Sequence, residues 1–192
     1  EGAAMDRYDA NMNSLHSKVK DQWNKRFPIV TAAAKIVRAL DTPDLAEGTK
    51  QAELLGEACF VRGFVDYELA LYWGEIPIID LDKLEETGYG RQSLTDVWQF
   101  IINDLEKAAK YAPKTNTAGR ATSGAGYTML GKAYMSAPVE TGLRDFNKAK
   151  ECFEKVMGMG YSLVNYADLW NYEKPNTAES IYEFQFNNNP NR

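Results

Sequence analysis

Apolar residues recur at steps of three and four along most of the chain, a spacing that is typical of amphipathic helices. The first such stretch covers residues 14–39, and its stripe contains Leu15, Val19, Trp23, Phe27, Val30, Ala33, Ala34 and Val37. Pro28 lies inside this stretch, and a proline there removes a backbone hydrogen bond. We therefore expect the first helix to be kinked or divided at Pro28.

The same period predicts further helices over residues 45–73, 93–112, 123–137 and 146–157, separated by turns rich in proline, glycine, asparagine and aspartate. The second of these helices is apolar on nearly every side, so we expect it to be buried between neighbours. Two segments do not have the helical period. Residues 76–79 form a short extended run, and the alternation over residues 180–186 predicts a short strand.

A degraded repeat signature is present in the last helix pair. Leu130, Gly131 and Tyr134 have the spacing of the first helix of a tetratricopeptide repeat, and Ala149 and Phe153 match the second helix once a short insertion is allowed. Glycine and alanine let paired helices approach closely, and aromatic rings fill the space between hairpins. The sequence thus predicts a mainly α fold of tetratricopeptide-like hairpins in an α-α superhelix, with minor irregular and short-strand segments.

The buried second helix carries two charges, Arg62 and Asp66, four residues apart. Because an ion pair is the least costly way to hold charge inside a protein, we expect these two side chains to pair with each other. Cys59 and Cys152 lie on apolar faces and are expected to be buried free thiols. Two cysteines and one histidine supply too few ligands for a zinc site.

No residue pattern predicts catalysis. The segment GRATSGAG at residues 119–126 lacks the Lys-Ser/Thr pair of a phosphate-binding loop, so we interpret its glycines as a turn and as close helix contacts. Asp80, Asp82, Glu85 and Glu86 lack the glycine and the terminal glutamate of a calcium-binding loop. His16 has no nucleophile partner in sequence. We expect no enzyme activity, no metal site and no cofactor.

Charge and aromatic content narrow the ligand class. The 192 residues carry a formal charge of -5, which disfavours nucleic acid as a partner. The longest run without charge, residues 156–167, is shorter than the ~18 residues that a membrane helix needs. Aromatic rings beside amide and carboxylate side chains are suited to sugars. Four rings outside the helical stripes are candidates, and Tyr8 has the most polar neighbours: Tyr8, Tyr89, Trp170 and Tyr172.

Residues 56–79, GEACFVRGFVDYELALYWGEIPII, resemble the SusD/RagB family, in which an EA-x-F-x-R-A helix leads into a Y-G-x-x-P turn. Residues 119–134 are similar to its GRAT-x-x-A helix, and residues 91–109 to its R-x-S helix. Together with the segments 146–169 and 179–186, the resemblance covers residues 14–186 in the family's order. Two departures occur in the scaffold: Ala34 stands where the family usually has Asn, and Gly63 replaces an alanine.

This resemblance implies a fold and a function. Family members are outer-membrane lipoproteins that use four tetratricopeptide-like helix pairs to support a less regular ligand-binding half, and they deliver glycans to a SusC-like TonB-dependent transporter. We accordingly expect residues 1–192 to be a single SusD-like scaffold domain and a fragment of a longer chain. Membrane association is expected only through a lipid anchor outside this sequence.

The resemblance also suggests where ligand binds. In the family an aromatic loop before the first tryptophan-bearing helix contacts the ligand, which here selects Tyr8, Asn11 and Asn13 as ligand-binding residues. The alternative function is a tetratricopeptide-type adaptor that binds a peptide or protein partner in a concave groove.

Overall fold

The computed structural model of the chain describes residues 7, 13, 16–79, 81 and 89–186. Within these ranges the helices are, in chain order, α1 Ser17–Leu40, α2 Lys50–Trp73, α3 Leu94–Tyr111, α4 Ser123–Ser136, a 3-10 turn Val139–Thr141, α5 Phe146–Met157 and the single turn α6 Tyr166–Leu169. From α1 to α5, each helix packs against the next one in the chain. The predicted mainly α fold of tetratricopeptide-like hairpins is confirmed.

The first two helices differ from the prediction, one in its continuity and the other in its starting residue. The α1 helix continues through Pro28 without being divided, because one proline removes only one backbone hydrogen bond. The α2 helix begins at Lys50, five residues later than predicted. Gly48 has a φ of +77°, which few other residues adopt, and the Thr49 hydroxyl then accepts from the Ala52 N–H at 3.2 Å as the N-cap.

The predicted short strand over residues 180–186 is not formed, and the described part of the chain contains no β-strand. The segment is extended, but its alternating rings pack on α2. Tyr182 lies 4.9 Å from Phe60 and Phe184 lies 5.5 Å from Phe64, measured between ring centroids. The alternating rings of this segment therefore mark the face that packs on α2, since the described residues contain no strand that could pair with it.

The repeat signature corresponds to close helix packing. At Gly131, an added Cβ would lie 2.6 Å from the ring of Phe153, which occupies the space that the missing side chain leaves. At Gly126, an added Cβ would lie 2.6 Å from the backbone nitrogen of Ala109 on α3. Both distances are below van der Waals contact, so these two glycines allow α4 to pack directly against α5 and α3.

The predicted pairing of Arg62 with Asp66 is wrong. Arg62 donates two hydrogen bonds across the helix pair to Asp104 of α3, Nε to Oδ2 at 2.6 Å and Nη2 to Oδ1 at 2.7 Å. A facing carboxylate satisfies the planar guanidinium bidentately, which a residue one turn away on the same helix cannot do as well. Asp66 is 3% exposed, and its Oδ1 has no hydrogen-bond partner.

Both cysteines are buried free thiols, as predicted. Burial raises the pKa of Cys59, and the nearby Asp104 carboxylate adds to this effect. A thiol in such surroundings stays protonated and packs as a small apolar side chain.

Candidate functional site

A cavity of about 590 Å³ lies beside the N-terminal half of α1, within the usual range for small-molecule sites. We call it the tryptophan pocket. Its described lining residues come from α1, from the end of α2 and from the two segments that follow, and they are Val19, Lys20, Trp23, Asn24, Trp73, Glu75, Pro77, Tyr89 and Arg91.

Local structure explains how these segments meet. Gly74 ends α2 with a φ of +71°, which turns the chain sharply after Trp73. The next residues are anchored by Ile76, which is 1% exposed, and the Ile76 carbonyl accepts a hydrogen bond from the Gln92 N–H at 3.0 Å. This bond holds Glu75 and Pro77 near the segment that carries Tyr89 and Arg91.

The aromatic part of the pocket is a packed cluster. Trp23 and Trp73 meet edge to face with ring centroids 5.3 Å apart, and Phe27 supports Trp23 from the next turn of α1 at 4.6 Å. Both tryptophans are half-buried, so part of each indole stays accessible. A half-exposed indole held by neighbouring rings is a rigid apolar surface against which the C–H face of a sugar ring can stack.

The polar part of the pocket consists of exposed side chains with hydrogen-bonding capacity to spare. Lys20, Asn24, Glu75 and Arg91 line the cavity, and none of these side chains makes a hydrogen bond or a salt bridge within the described ranges. The amide and the carboxylate can accept from hydroxyl groups, while the amide and the two cations can donate. Together with the indoles, this set can bind a polyhydroxylated ring.

Two other clefts lack this combination. The cleft beside α2, lined by Phe60, Phe64, Tyr182 and Phe184, is largely apolar. In the loop cleft around Asn176, the polar side chains already bond one another: the Asn176 amide pairs with Gln185, and Glu183 accepts from the Asn176 N–H.

The structure describes one of the three predicted ligand residues. Asn13 is exposed just before α1, where its carbonyl accepts from the His16 N–H at 2.9 Å, and it does not line the tryptophan pocket. Tyr8 and Asn11 lie outside the described residues. The acidic residues Asp80, Asp82, Glu85 and Glu86 also lie outside them. Trp170 and Tyr172, 71% and 89% exposed, do not contribute to the pocket.

Sequence reasoning assigned Trp23 to the core stripe and did not single out Trp73. Their proximity had a detectable signal, because α1 and α2 form a hairpin in which residues at similar distances from the turn face each other. Arg26 and Glu68, which pair at 3.0 Å, follow the same register. Tyr89 was among the rings placed outside the helical stripes, and it does line the pocket.

Two further findings concern the described residues alone. They contain no cluster of three or more histidine, cysteine, aspartate or glutamate side chains arranged to hold a metal ion. None of their helices is long and apolar enough to cross a membrane.

Comparison with known proteins is consistent with the family resemblance in the sequence. The profile of the SusD-like family, described as starch-binding associating with outer membrane, matches residues 2–135. A SusD-like protein of Bacteroides ovatus is 29% identical over 188 residues, covering 91% of this chain and 34% of that protein. The starch-binding protein SusD of Bacteroides thetaiotaomicron is 34% identical over 151 residues, covering 72% of this chain and 26% of that protein.

Solved structures share the fold. A crystal structure with a xylogluco-oligosaccharide superposes with a TM-score of 0.74 at 24% identity, covering 89% of this chain and 36% of that chain. The chain thus spans about a third or less of the length of the curated relatives that it matches. Since the family profile matches more than half of the chain, the chain belongs to the SusD-like family.

Proposed function

We propose that the chain is the helical scaffold of a glycan-binding protein in an outer-membrane uptake system, and that its tryptophan pocket contacts the saccharide. The family description, the starch-binding relative and the fold shared with an oligosaccharide-bound structure support this proposal. In it, the protein binds the saccharide without altering it and passes it to a SusC-like TonB-dependent transporter. A lipid anchor outside this sequence attaches it to the outer membrane.

The proposal rests on one observation: two half-exposed indoles and four exposed polar side chains line the same cavity. Sugars are bound by stacking of their C–H faces and by hydrogen bonds that replace water around their hydroxyls. One aromatic platform with a few solvent-exposed hydrogen bonds corresponds to a Kd of about 1 mM, or about 4 kcal/mol. We expect binding of this order for residues 1–192.

The test is isothermal titration calorimetry of the chain with maltoheptaose and with a xylogluco-oligosaccharide. We expect Tyr89→Ala and Asn24→Ala each to weaken binding about fivefold or more, since each removes a direct ligand contact in this proposal. Trp170→Ala is the matched control, because Trp170 is an exposed aromatic residue outside the pocket. Circular dichroism of each variant establishes that the helices are intact.

Two results would contradict the proposal. Binding that survives both pocket variants but is lost in Trp170→Ala would place the sugar elsewhere on the chain. A complete lack of saccharide binding at about 10 mM ligand, with the fold intact, would favour the tetratricopeptide-type adaptor.

A further inference from the structure

The charges around the tryptophan pocket are unequal. Lys20 and Arg91 supply two cations, and Glu75 supplies one carboxylate. Among the described residues the lining is therefore net positive, in a chain whose formal charge is -5. Glu75 forms no salt bridge with either cation within the described residues, so it does not neutralise them by direct contact.

Three arginines of the described chain are paired with carboxylates. One turn or two beyond Lys20 on α1, Arg26 bonds Glu68 at 3.0 Å, and Arg62 on α2 bonds Asp104 at 2.6 Å. Arg120, before α4, bonds Glu57 at 2.7 Å. Lys20 and Arg91, by contrast, have side chains with no hydrogen bond or salt bridge among the described residues, although both border the cavity. Their donors are available to a ligand.

We propose that the tryptophan pocket prefers an anionic saccharide, one that carries a carboxylate or a sulfate on its rings, over a neutral one. This inference rests on the proposed function and specifies its ligand class. The Arg91 guanidinium offers a planar fork that matches two oxygens of such a group, and Lys20 adds a second positive charge. Trp23 and Trp73 stack against the sugar ring, and Asn24 and Glu75 bond its hydroxyls.

The experiment compares ligands that differ only in charge. Trigalacturonate and its fully methyl-esterified form have the same rings, so their difference in Kd isolates the carboxylates. A sulfated galactose oligosaccharide tests the second source of negative charge. Titrations use the full 192-residue chain at about 50 mM and about 500 mM NaCl, because ionic contacts at an exposed site weaken as salt screens them.

We expect trigalacturonate to bind about tenfold more tightly than its methyl ester at low salt, and the preference to shrink at high salt. Arg91→Gln and Lys20→Gln should each reduce the preference about threefold or more. Lys35→Gln is the matched control, since it removes the same charge from an exposed position of α1 that does not line the pocket. Tight binding of the sulfated sugar would equally support the proposal and would identify sulfate as an accepted anion.

Equal binding of the acid and its ester, with both lost in Tyr89→Ala, would overturn this inference and leave the proposed function standing. A loss of preference in Lys35→Gln as large as in Arg91→Gln would also overturn it, because the effect would then come from overall charge. If no saccharide binds, charged or neutral, both this inference and the proposed function fail.

Discussion

At the scale of single residues, one of the two charged side chains buried in α2 is balanced from the neighbouring helix. Arg62 is held by two hydrogen bonds to Asp104, and its guanidinium also lies 4.7 Å from the centre of the Phe100 ring. Asp66, one turn further along, is buried with one oxygen unpartnered. The two carboxylates thus have different energetic roles, since Asp104 neutralises a charge and Asp66 does not.

Removing Asp104 should therefore be much more harmful than removing Asp66. We expect Asp104→Ala to lower the free energy of unfolding by about 3 kcal/mol or more, because it leaves the Arg62 charge buried and unpaired. Asp66→Ala, the matched control, should cost less than half as much. Urea denaturation followed by circular dichroism measures both values. Equal losses for the two variants would show that Arg62 depends on Asp66 after all.

The buried Asp66 also predicts a pH dependence. Burial raises its pKa well above the usual range, and the Asp104 charge adds to this while Arg62 opposes it. Above the unfolded-state pKa of about 4, the unfolded chain releases a proton that the folded chain retains, so folding loses stability as the pH rises. Asp66→Asn removes that loss.

At pH 7 we consequently expect the free energy of unfolding of Asp66→Asn, measured by urea denaturation, to exceed that of the wild type by about 1 kcal/mol or more. This difference should disappear near pH 4. Other carboxylates are common to both proteins and cancel in this difference. If the two proteins differ in unfolding free energy by the same amount at pH 4 and at pH 7, the pH dependence does not come from Asp66.

Residue patterns predicted that Arg62 would be paired and that Cys59 would be buried, but they did not identify the partner of Arg62. Burial follows from the composition of one helix. The partner lies 42 positions away in sequence and depends on the register between α2 and α3, which no local pattern contains. For Trp23 and Trp73 the α1–α2 hairpin did carry a signal, but the pattern of apolar positions alone did not bring it out.

At the scale of elements, the periodic stretches predicted the helices, and their ends were the weaker part. The bounds of α5 Phe146–Met157 agree with the predicted helix, since Asp145 caps its start and Gly158 its end. The start of α2 was misplaced because residues 45–49 are apolar enough to resemble a helix but contain Gly48 in a left-handed conformation. Turn chemistry there overrode the apolar pattern.

Close packing between elements can be tested at Gly126. Its missing side chain lets α4 approach the α3 backbone, where an added Cβ would lie 2.6 to 2.8 Å from backbone atoms of Ala108 and Ala109. Backbone cannot move aside as a side chain can, so we expect Gly126→Ala to lower the unfolding free energy by about 2 kcal/mol or more.

Gly158→Ala is the matched control for this change. An added Cβ at Gly158 would lie 3.5 Å from the nearest atom, and the residue has an ordinary φ of -81°. That variant should stay within about 0.5 kcal/mol of the wild type. Chemical denaturation compares the two, and a Gly126→Ala protein as stable as the control would contradict direct α3–α4 packing.

At the scale of the whole molecule, the helical hairpins bring together side chains that are far apart in sequence. The tryptophan pocket combines residues from the start of α1, the end of α2 and the segment before α3. Packed helices and the Gln92–Ile76 hydrogen bond hold the backbone of its walls in place without ligand. In the proposed function, such preorganisation lowers the entropy cost of binding a saccharide.

Saccharide binding in the tryptophan pocket is tested most directly by the four tryptophan indole N–H signals in a ¹⁵N-correlated NMR spectrum, titrated with a xylogluco-oligosaccharide and with trigalacturonate up to about 10 mM. We expect the Trp23 and Trp73 signals to shift with a common saturation curve. Trp98, which is 1% exposed, and Trp170, which lies outside the pocket, should stay unchanged. Shifts at Trp170 without shifts at Trp23 and Trp73, or no shift at any indole, would contradict the placement of the sugar in the tryptophan pocket.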